Sequence, residues 1–558
     1  MKHCPECNRN YADPTVSFCL QDGAPLIFGA AAEEPATAII GTSEQATKTF
    51  DQDPTSEKAS LDQPTGIASN RNIVIAGVIA LTLMTALGVG LYFYYGRTSS
   101  KQIESIAVMP FVNESGNSDV EYLSDGITES LINSLSTLPN LSVKARNTVF
   151  RFKGKEVDEK NLGQELSVQA VLFGRFIQHG NDLTLFLSLV DSATGNALWG
   201  EQYDRKMQDL PALRNDIARD VAQKLRARLS SADTTNLTKN YTVNTEALRL
   251  YFYGRYAFSK RTRESVRKSL EYFNQSIEKD PNFALAYSGL ADAYVVPVVG
   301  MVPHDVMPKA KTAAMRALEI DNTLAEAHTS LARVLQVYDW NWAEAEKEYK
   351  RAIELDPRYP LAHQWYGGFL ERTGRPEESL AERRRALELD PLSASANFEL
   401  GLAYYYSRDY DSAIEQLEKT LEIEPGFPAA VQVLVLAYTY KGQYDLAIAK
   451  LRDFNETNIL GTAVQAYAMA GRKDDASRVL DELNRRYNDP SKSEYVSATT
   501  MAFVYSALGD KDKAIEWLEK GYEERSFQMQ FLKVDPRWDS LRDDPRFQEI
   551  SKKVGLSS

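Results

Sequence analysis

The tripeptides LDP, LDP and IEP place Pro357, Pro391 and Pro425 at intervals of 34 and 34 residues. Pro281, in KDP, holds the same position earlier, and Asn322 fills it between Pro281 and Pro357 after a longer loop at 296–303. A unit of this length is a helix–turn–helix that cannot bury its apolar face alone, so successive units must stack into an all-α superhelix. Small residues recur in phase with the prolines. They fall at Ala291, Ala332, Gly367, Gly401 and Ala502 in first helices, and at Ala310, Ala345, Ala413, Ala447, Ala476 and Ala514 in second helices. Larger residues sit three places after the first small position: Tyr294, Leu335, Leu370, Tyr404, Tyr438, Tyr467 and Tyr505. Small residues let paired helices approach closely, and the larger ones plug the gap to the next unit. About eight motifs fit residues 245–530. The first, near 246–280, lacks both small residues and reads as a cap; the one at 457–485 is shortened; 531–558 reads as a tail.

These phased positions are similar to those of the tetratricopeptide repeat (TPR). In that family the first helices line a concave groove. Counting from the phase, the groove candidates are Arg333, Gln336, Gln364, Arg372, Phe398, Tyr405, Tyr406, Gln432 and Tyr440. Aromatic rings flanked by amides suit an extended or helical peptide, so a protein or peptide is the expected partner. Gly401 and Tyr404 point into helix packing. Tyr405 and Tyr440, by contrast, are expected to be removable with little loss of stability.

Residues 104–230 form a separate unit. SIAVMPFV (105–112) reads as a buried strand, 120–138 as a helix and 141–146 as a strand, followed by a short helix at 157–166. Three strands follow at 168–178, 182–191 and 196–205, joined by the turns HGND and SATG, and then a long amphipathic helix at 210–229. The order βαβαβββα predicts a small α/β sandwich. The stretches SIAVMPFVNESG, EYLSDGITESLINSLS, VLFGRFIQHGNDLTLFLSLVDSATGNALWGEQYDR and DIARDVAQKL resemble the TolB amino-terminal-like domain, related to FlgO and CsgG. That resemblance implies a domain between a membrane helix and TPR repeats, preceded by a kinase, a nucleotide cyclase or a winged-helix domain. None of these precedes it here; residues 1–28 resemble a short zinc ribbon instead. Asp125 reads as a helix N-cap or first-turn acid, His179 as a solvated turn residue, and Trp199 and Tyr203 as packing residues. No motif names a small-molecule ligand for this unit.

All three cysteines lie at the start of the chain. Cys4-x2-Cys7 and Cys19-x2-Asp22 have the spacing of two knuckles that hold one Zn²⁺ tetrahedrally, with His3 a rival to Asp22 as the fourth ligand. So small a fold needs such a staple, and the expected role is structural. Residues 29–71, poor in large apolar side chains, read as a disordered linker. Ile73 to Tyr95 carries no charge, and as a helix it spans about 35 Å, enough to cross a bilayer. Tyr92, Phe93, Tyr94 and Tyr95 bunch at its C-terminal end, where an interfacial aromatic belt is expected. The flanking charges tie. Zinc-holding thiolates favour a reducing compartment, which places the N-terminus in the bacterial cytoplasm and the C-terminal domains in the periplasm.

The formal charge is −13, and residues 1–28 hold only Lys2 and Arg9 as fixed cations. Nucleic acid is therefore not the expected partner. No phosphate loop, HExxH, nucleophile elbow or kinase signature occurs. The sequence thus predicts a multidomain chain: zinc ribbon, one transmembrane helix, α/β domain and TPR superhelix. Its expected function is that of a non-enzymatic, inner-membrane scaffold or sensor. The alternative is a signalling or transcriptional regulator whose ribbon contacts nucleic acid or an output protein.

Overall fold

A computed structural model describes residues 2–3, 10–11, 27–28 and 103–556, the last with breaks at 139, 156–158, 226–236, 238, 240, 297–301, 452–456 and 489–495. The chain divides into two compact units, Met1–Arg97 and Thr98–Ser558. In the first, β1 (Lys2–His3) pairs antiparallel with β2 (Asn10–Tyr11) and with β3 (Ile27–Phe28). Residues 4–9, which connect β1 to β2, contain Cys4 and Cys7. Cys4, Cys7, Cys19 and Asp22 themselves, the linker 29–71 and the span 73–95 lie outside the described residues. Among the described residues, no helix is long and apolar enough to cross a membrane.

The second unit begins with a six-stranded sheet. Strands β4 (Ser105–Val108) and β6 (Ser142–Val143) lie parallel, and β4 also runs parallel to β7 (Ala170–His179). The short β5 (Val112–Asn113) extends the parallel pairing along β7. Strands β8 (Asp182–Asp191) and β9 (Ala197–Lys206) continue the sheet as an antiparallel meander. Helix α1 (Glu121–Ser136) lies between β5 and β6, α2 (Arg146–Phe150) and α3 (Glu159–Glu165) precede β7, and α4 (Leu210–Lys224) closes the domain. The expected βαβαβββα order is present, with β5 and α2 added. The buried faces of β7 and β8 alternate as a sheet covered on one side requires.

Eight helix pairs follow. They are α5 (Thr245–Ser259) with α6 (Arg263–Lys279), α7 (Ala284–Val295) with α8 (Pro303–Ile320), α9 (Ala325–Val334) with α10 (Trp342–Leu355), and α11 (Pro360–Arg372) with α12 (Pro376–Leu389). Then come α13 (Ala394–Tyr406) with α14 (Tyr410–Ile423), α15 (Pro428–Tyr440) with α16 (Tyr444–Leu451), α17 (Thr457–Met469) with α18 (Lys473–Asn488), and α19 (Ala498–Ala507) with α20 (Lys511–Glu523). The repeat is written into the backbone. Asp280, Asp321, Asp356, Asp390 and Glu424, which end five second helices, share an extended conformation with φ between −138° and −147°. The first pair does carry its small residues. Gly254 meets Phe273, and the fully buried Ser269 stands 12 places before Pro281, as Ala345 stands before Pro357. Serine does the packing work of alanine here, as Ser379 does in α12.

The α/β domain and the superhelix share one core. Ala247, Leu248, Phe252, Phe283 and Ala286 of the first repeats are buried with Leu123, Ile127 and Leu131 of α1. A Cβ on Gly126 would lie 2.3 Å from the Phe252 ring, so α1 and α5 touch at a point only glycine permits. The repeat loops add polar links. Arg358 donates to the carbonyls of Ser136, Leu138 and Leu141, capping the C-terminal end of α1. Asp390 accepts from Asn147 at 2.9 Å and Thr148 at 3.2 Å, and Lys239 pairs with Asp321 at 2.5 Å. Gly126→Ala is expected to destabilise the chain by roughly 1–3 kcal/mol through overpacking. Gly426→Ala, with open space around its Cβ, should change little. Urea unfolding of both variants measures the difference.

Candidate peptide-binding cavity

The segment after α20 does not trail away as a tail. It forms two tight 3₁₀ turns, Phe527–Phe531 and Pro536–Leu541, and a last helix α21 (Pro545–Lys553). Trp538, Leu541, Phe547, Ile550 and Val554 bury against α19 and α20, and against Trp340. The Trp342 indole donates to the Val554 carbonyl at 2.8 Å. The chain end thereby reaches from the eighth helix pair back to the third.

That segment crosses the concave wall where several groove candidates stand. Gln530 accepts from the Gln336 amide at 2.8 Å, and Tyr349 donates to the Gln336 carbonyl at 2.8 Å. The Arg333 guanidinium sits over Phe527 at 5.2 Å and Trp365 at 5.4 Å. Arg372 covers Phe531 at 4.3 Å, and Tyr406 meets the same ring at 5.4 Å. Arg408 donates to the Val534 carbonyl at 2.7 Å and pairs with Asp539 at 2.9 Å. Arg333, Gln336, Gln364, Arg372, Tyr405 and Tyr406 are buried. Tyr440 is half-buried, packs edge-on to Tyr405 at 6.1 Å, and accepts from Gln465 at 2.7 Å. The expectation that Tyr405 and Tyr440 can be removed without loss of stability does not survive this packing. Truncating the buried Tyr405 ring would open a cavity and cost stability.

The wall is not filled along its whole length. A cavity of about 1880 Å³ lies between the α/β domain, the first helices and the C-terminal segment. Arg333, Gln364, Arg372, Phe398, Tyr405, Tyr406 and Gln432 line it; Gln336 and Tyr440 do not. Phe398 stacks obliquely on Phe427 at 5.4 Å, and the Gln432 amide donates to Thr462 at 3.2 Å. Twelve Lys and Arg and nine Asp and Glu line the cavity, an excess of positive charge inside a chain whose formal charge is −13.

The polar network at the domain junction is the part sequence reasoning missed. Glu129 of α1 accepts from Arg146 at 3.1 Å and from Arg255 of α5 at 2.8 and 2.5 Å. Burial alone would raise the Glu129 carboxyl, but Arg255 and Arg146 outweigh it and hold the group low. Arg255 also faces Asp292 of α7 at 3.6 Å, and Asp292 accepts from Ser330 of α9. The network thus ties α1 to three successive first helices. Arg372 and Arg383 lie fully buried beside it along the wall. Arg383 pairs with Glu371 at 2.8 Å and Glu399 at 3.4 Å, and burial followed by Arg333 lowers the Arg372 guanidinium to about 10. In the sheet domain, Asp125 falls in the second turn of α1, not at its cap, and pairs with Lys153. His179 is exposed at the β7–β8 turn, while Trp199 and Tyr203 are buried in the core.

Three comparisons bear on this architecture. Residues 101–220, read above as TolB-like, match the family model of the HilA/YgeH-like transcriptional regulator second domain. Residues 335–394, 394–427 and 497–526 match tetratricopeptide-repeat models. The superhelix is built of TPR repeats. "Putative adenylate cyclase 3" of Rhizobium meliloti (strain 1021) is 32% identical over 235 residues, 41% of this chain and 40% of that protein. Transcriptional regulator HilA of Salmonella typhimurium (strain LT2) is 23% identical over 281 residues, 50% of this chain and 49% of HilA. The solved structure of Pseudomonas aeruginosa PilF, a type IV pilus assembly protein, is 26% identical, with 37% of this chain and 94% of PilF covered and a TM-score of 0.29. The chain spans less than half the length of the curated relatives it matches.

Glu326, on α9, lines the cavity, and burial followed by Asp356 and Asp292 pushes its carboxyl from about 4.5 up to about 7. The folded chain therefore holds this proton more tightly than the unfolded one. The contribution of this group to stability falls as pH rises from about 4.5 to about 7 and is flat above. Glu326→Gln removes that dependence. Its melting temperature should match the parent's near pH 4.5 and exceed it by a margin that grows to about pH 7 and levels off above. A margin independent of pH would contradict the assignment.

Proposed function

We propose that this chain is a non-catalytic scaffold that takes a segment of a partner protein into the cavity between the α/β domain and the TPR wall. The observation that supports this most is the cavity itself: about 1880 Å³, aromatic and amide-lined, along first helices. TPR proteins bind protein or peptide partners, and Phe398, Gln364 and Gln432 offer the ring-plus-amide chemistry such binding uses. We further propose that Ile73 to Tyr95 anchors the chain in the bacterial inner membrane, with residues 1–72 in the cytoplasm and 100–558 in the periplasm. The uncharged run supports the anchor. A structural zinc held by Cys4, Cys7, Cys19 and Asp22 fits the spacing, and the β1–β2 pairing brackets Cys4 and Cys7. A second reading, a signalling or transcriptional regulator, is favoured by the HilA/YgeH-like match over 101–220. In that reading the cavity remains the input, and the segment before the membrane carries the output.

Photo-crosslinking in living cells tests the scaffold reading. p-Benzoylphenylalanine at Phe398, inside the cavity, should give a discrete set of protein adducts by mass spectrometry. The same group at Leu446, half-exposed on a second helix, should not. Identical adducts from both positions, or none from Phe398, would remove the cavity as the partner site.

A further inference from the structure

In seven of the eight helix pairs the described turn between first and second helix ends in a left-handed residue. Glycine holds that place at Gly374, Gly442, Gly471 and Gly509, with φ between 74° and 86°. Three turns put a side chain there instead: Arg261 at φ 52°, Trp340 at φ 56° and Arg408 at φ 62°. A Cβ is strained in this region, so such residues persist where the side chain does something glycine cannot. At two of the three the task is visible. Arg408 holds Val534 and Asp539 of the C-terminal segment, and Trp340 packs on Tyr522 at 5.2 Å with Arg525 at 4.1 Å over its ring. Both side chains dock the end of the chain.

Arg261 has the same strained geometry and no such occupant. Its guanidinium lies over Phe258 at 4.0 Å, it is solvent-accessible, and it lines the cavity. Among the described residues it forms no ion pair, and Asp292, the carboxylate that attracts it, is already held by Arg255. The neighbouring acids are engaged: Glu129 with Arg146 and Arg255, Asp292 with Arg255 and Ser330. The C-terminal segment shows what this wall accepts, namely Phe rings beneath arginines and an Asp on a turn arginine.

We propose that the cavity's partner is an acidic peptide segment bearing aromatic side chains, and that Arg261 pairs with its carboxylate. This rests on the scaffold reading and names the partner's chemistry. The positive excess of the lining favours an acidic ligand. The nine carboxylates among it disfavour a polyphosphate backbone, whose charge is unbroken.

The test is fluorescence anisotropy of the full-length chain with labelled poly(Glu,Tyr), a random acidic–aromatic copolymer. Saturable binding is expected, weakened at least tenfold by Arg261→Gly. Because glycine suits φ 52°, that variant should melt no lower than the parent, which separates a lost ligand contact from a damaged fold. Parent-like affinity in Arg261→Gly would overturn the proposal. So would binding of labelled oligouridylate in place of the copolymer, which would make the cavity a nucleic-acid site. If Phe398 cross-links a partner but the copolymer does not bind, the acidic-peptide assignment falls and the scaffold reading stands.

Discussion

The close approach of α1 to α5 at Gly126 and Phe252 sets how the α/β domain meets the helix array. A TPR array alone is an open spring whose groove faces solvent along its length. Here the α/β domain is fused by a shared apolar core to the first repeats, and Arg358 and Asp390 bind it again two and three repeats further on. The domain therefore stands over the concave wall. With the C-terminal segment closing the far side, groove becomes cavity.

Charge follows from the same arrangement. Acids of the repeat loops, Asp321 and Asp390, are spent on the α/β domain and its connection, where Lys239, Asn147 and Thr148 meet them. Arginines of the first helices are left facing inward. Among the buried arginines, Arg383 is held by Glu371 and Glu399 while Arg372 lies over the Phe531 ring; removing Arg383 would strand both carboxylates. An internal cationic, aromatic surface in an acidic chain is thus a product of topology, invisible to net charge.

Much of the architecture is legible from spacing. The 34-residue register sets the helix pairs, and the α/β order follows from strand alternation and turn chemistry. The same phase puts Arg333, Gln364, Phe398 and Gln432 on first helices that line the cavity. Reading small residues as Ala or Gly alone missed the buried Ser269 and Ser379; at Ser269 the hydroxyl donates to the Val266 carbonyl within its own helix, which lets serine pack like alanine. The docking of Phe527–Leu541 could not be read. That stretch has no helical period, and its partners lie far away in sequence, as Gln530 lies 194 residues from Gln336. Arg261 did leave a trace. Its turn departs from the glycine that Gly374, Gly442 and Gly509 share, as Trp340 and Arg408 do one repeat before and one after Gly374.

The α/β domain and the TPR array belong to one compact unit, and the cavity between them is a fixed feature only if they open together. Native-state hydrogen exchange against increasing denaturant tests this most directly. If they do, the slowest amides of α1, α5 and α11 share one opening free energy and one denaturant slope. If α1 opens at a distinctly lower free energy while α5 and α11 remain protected, the α/β domain is a separate module. The cavity would then not be a fixed property of the fold.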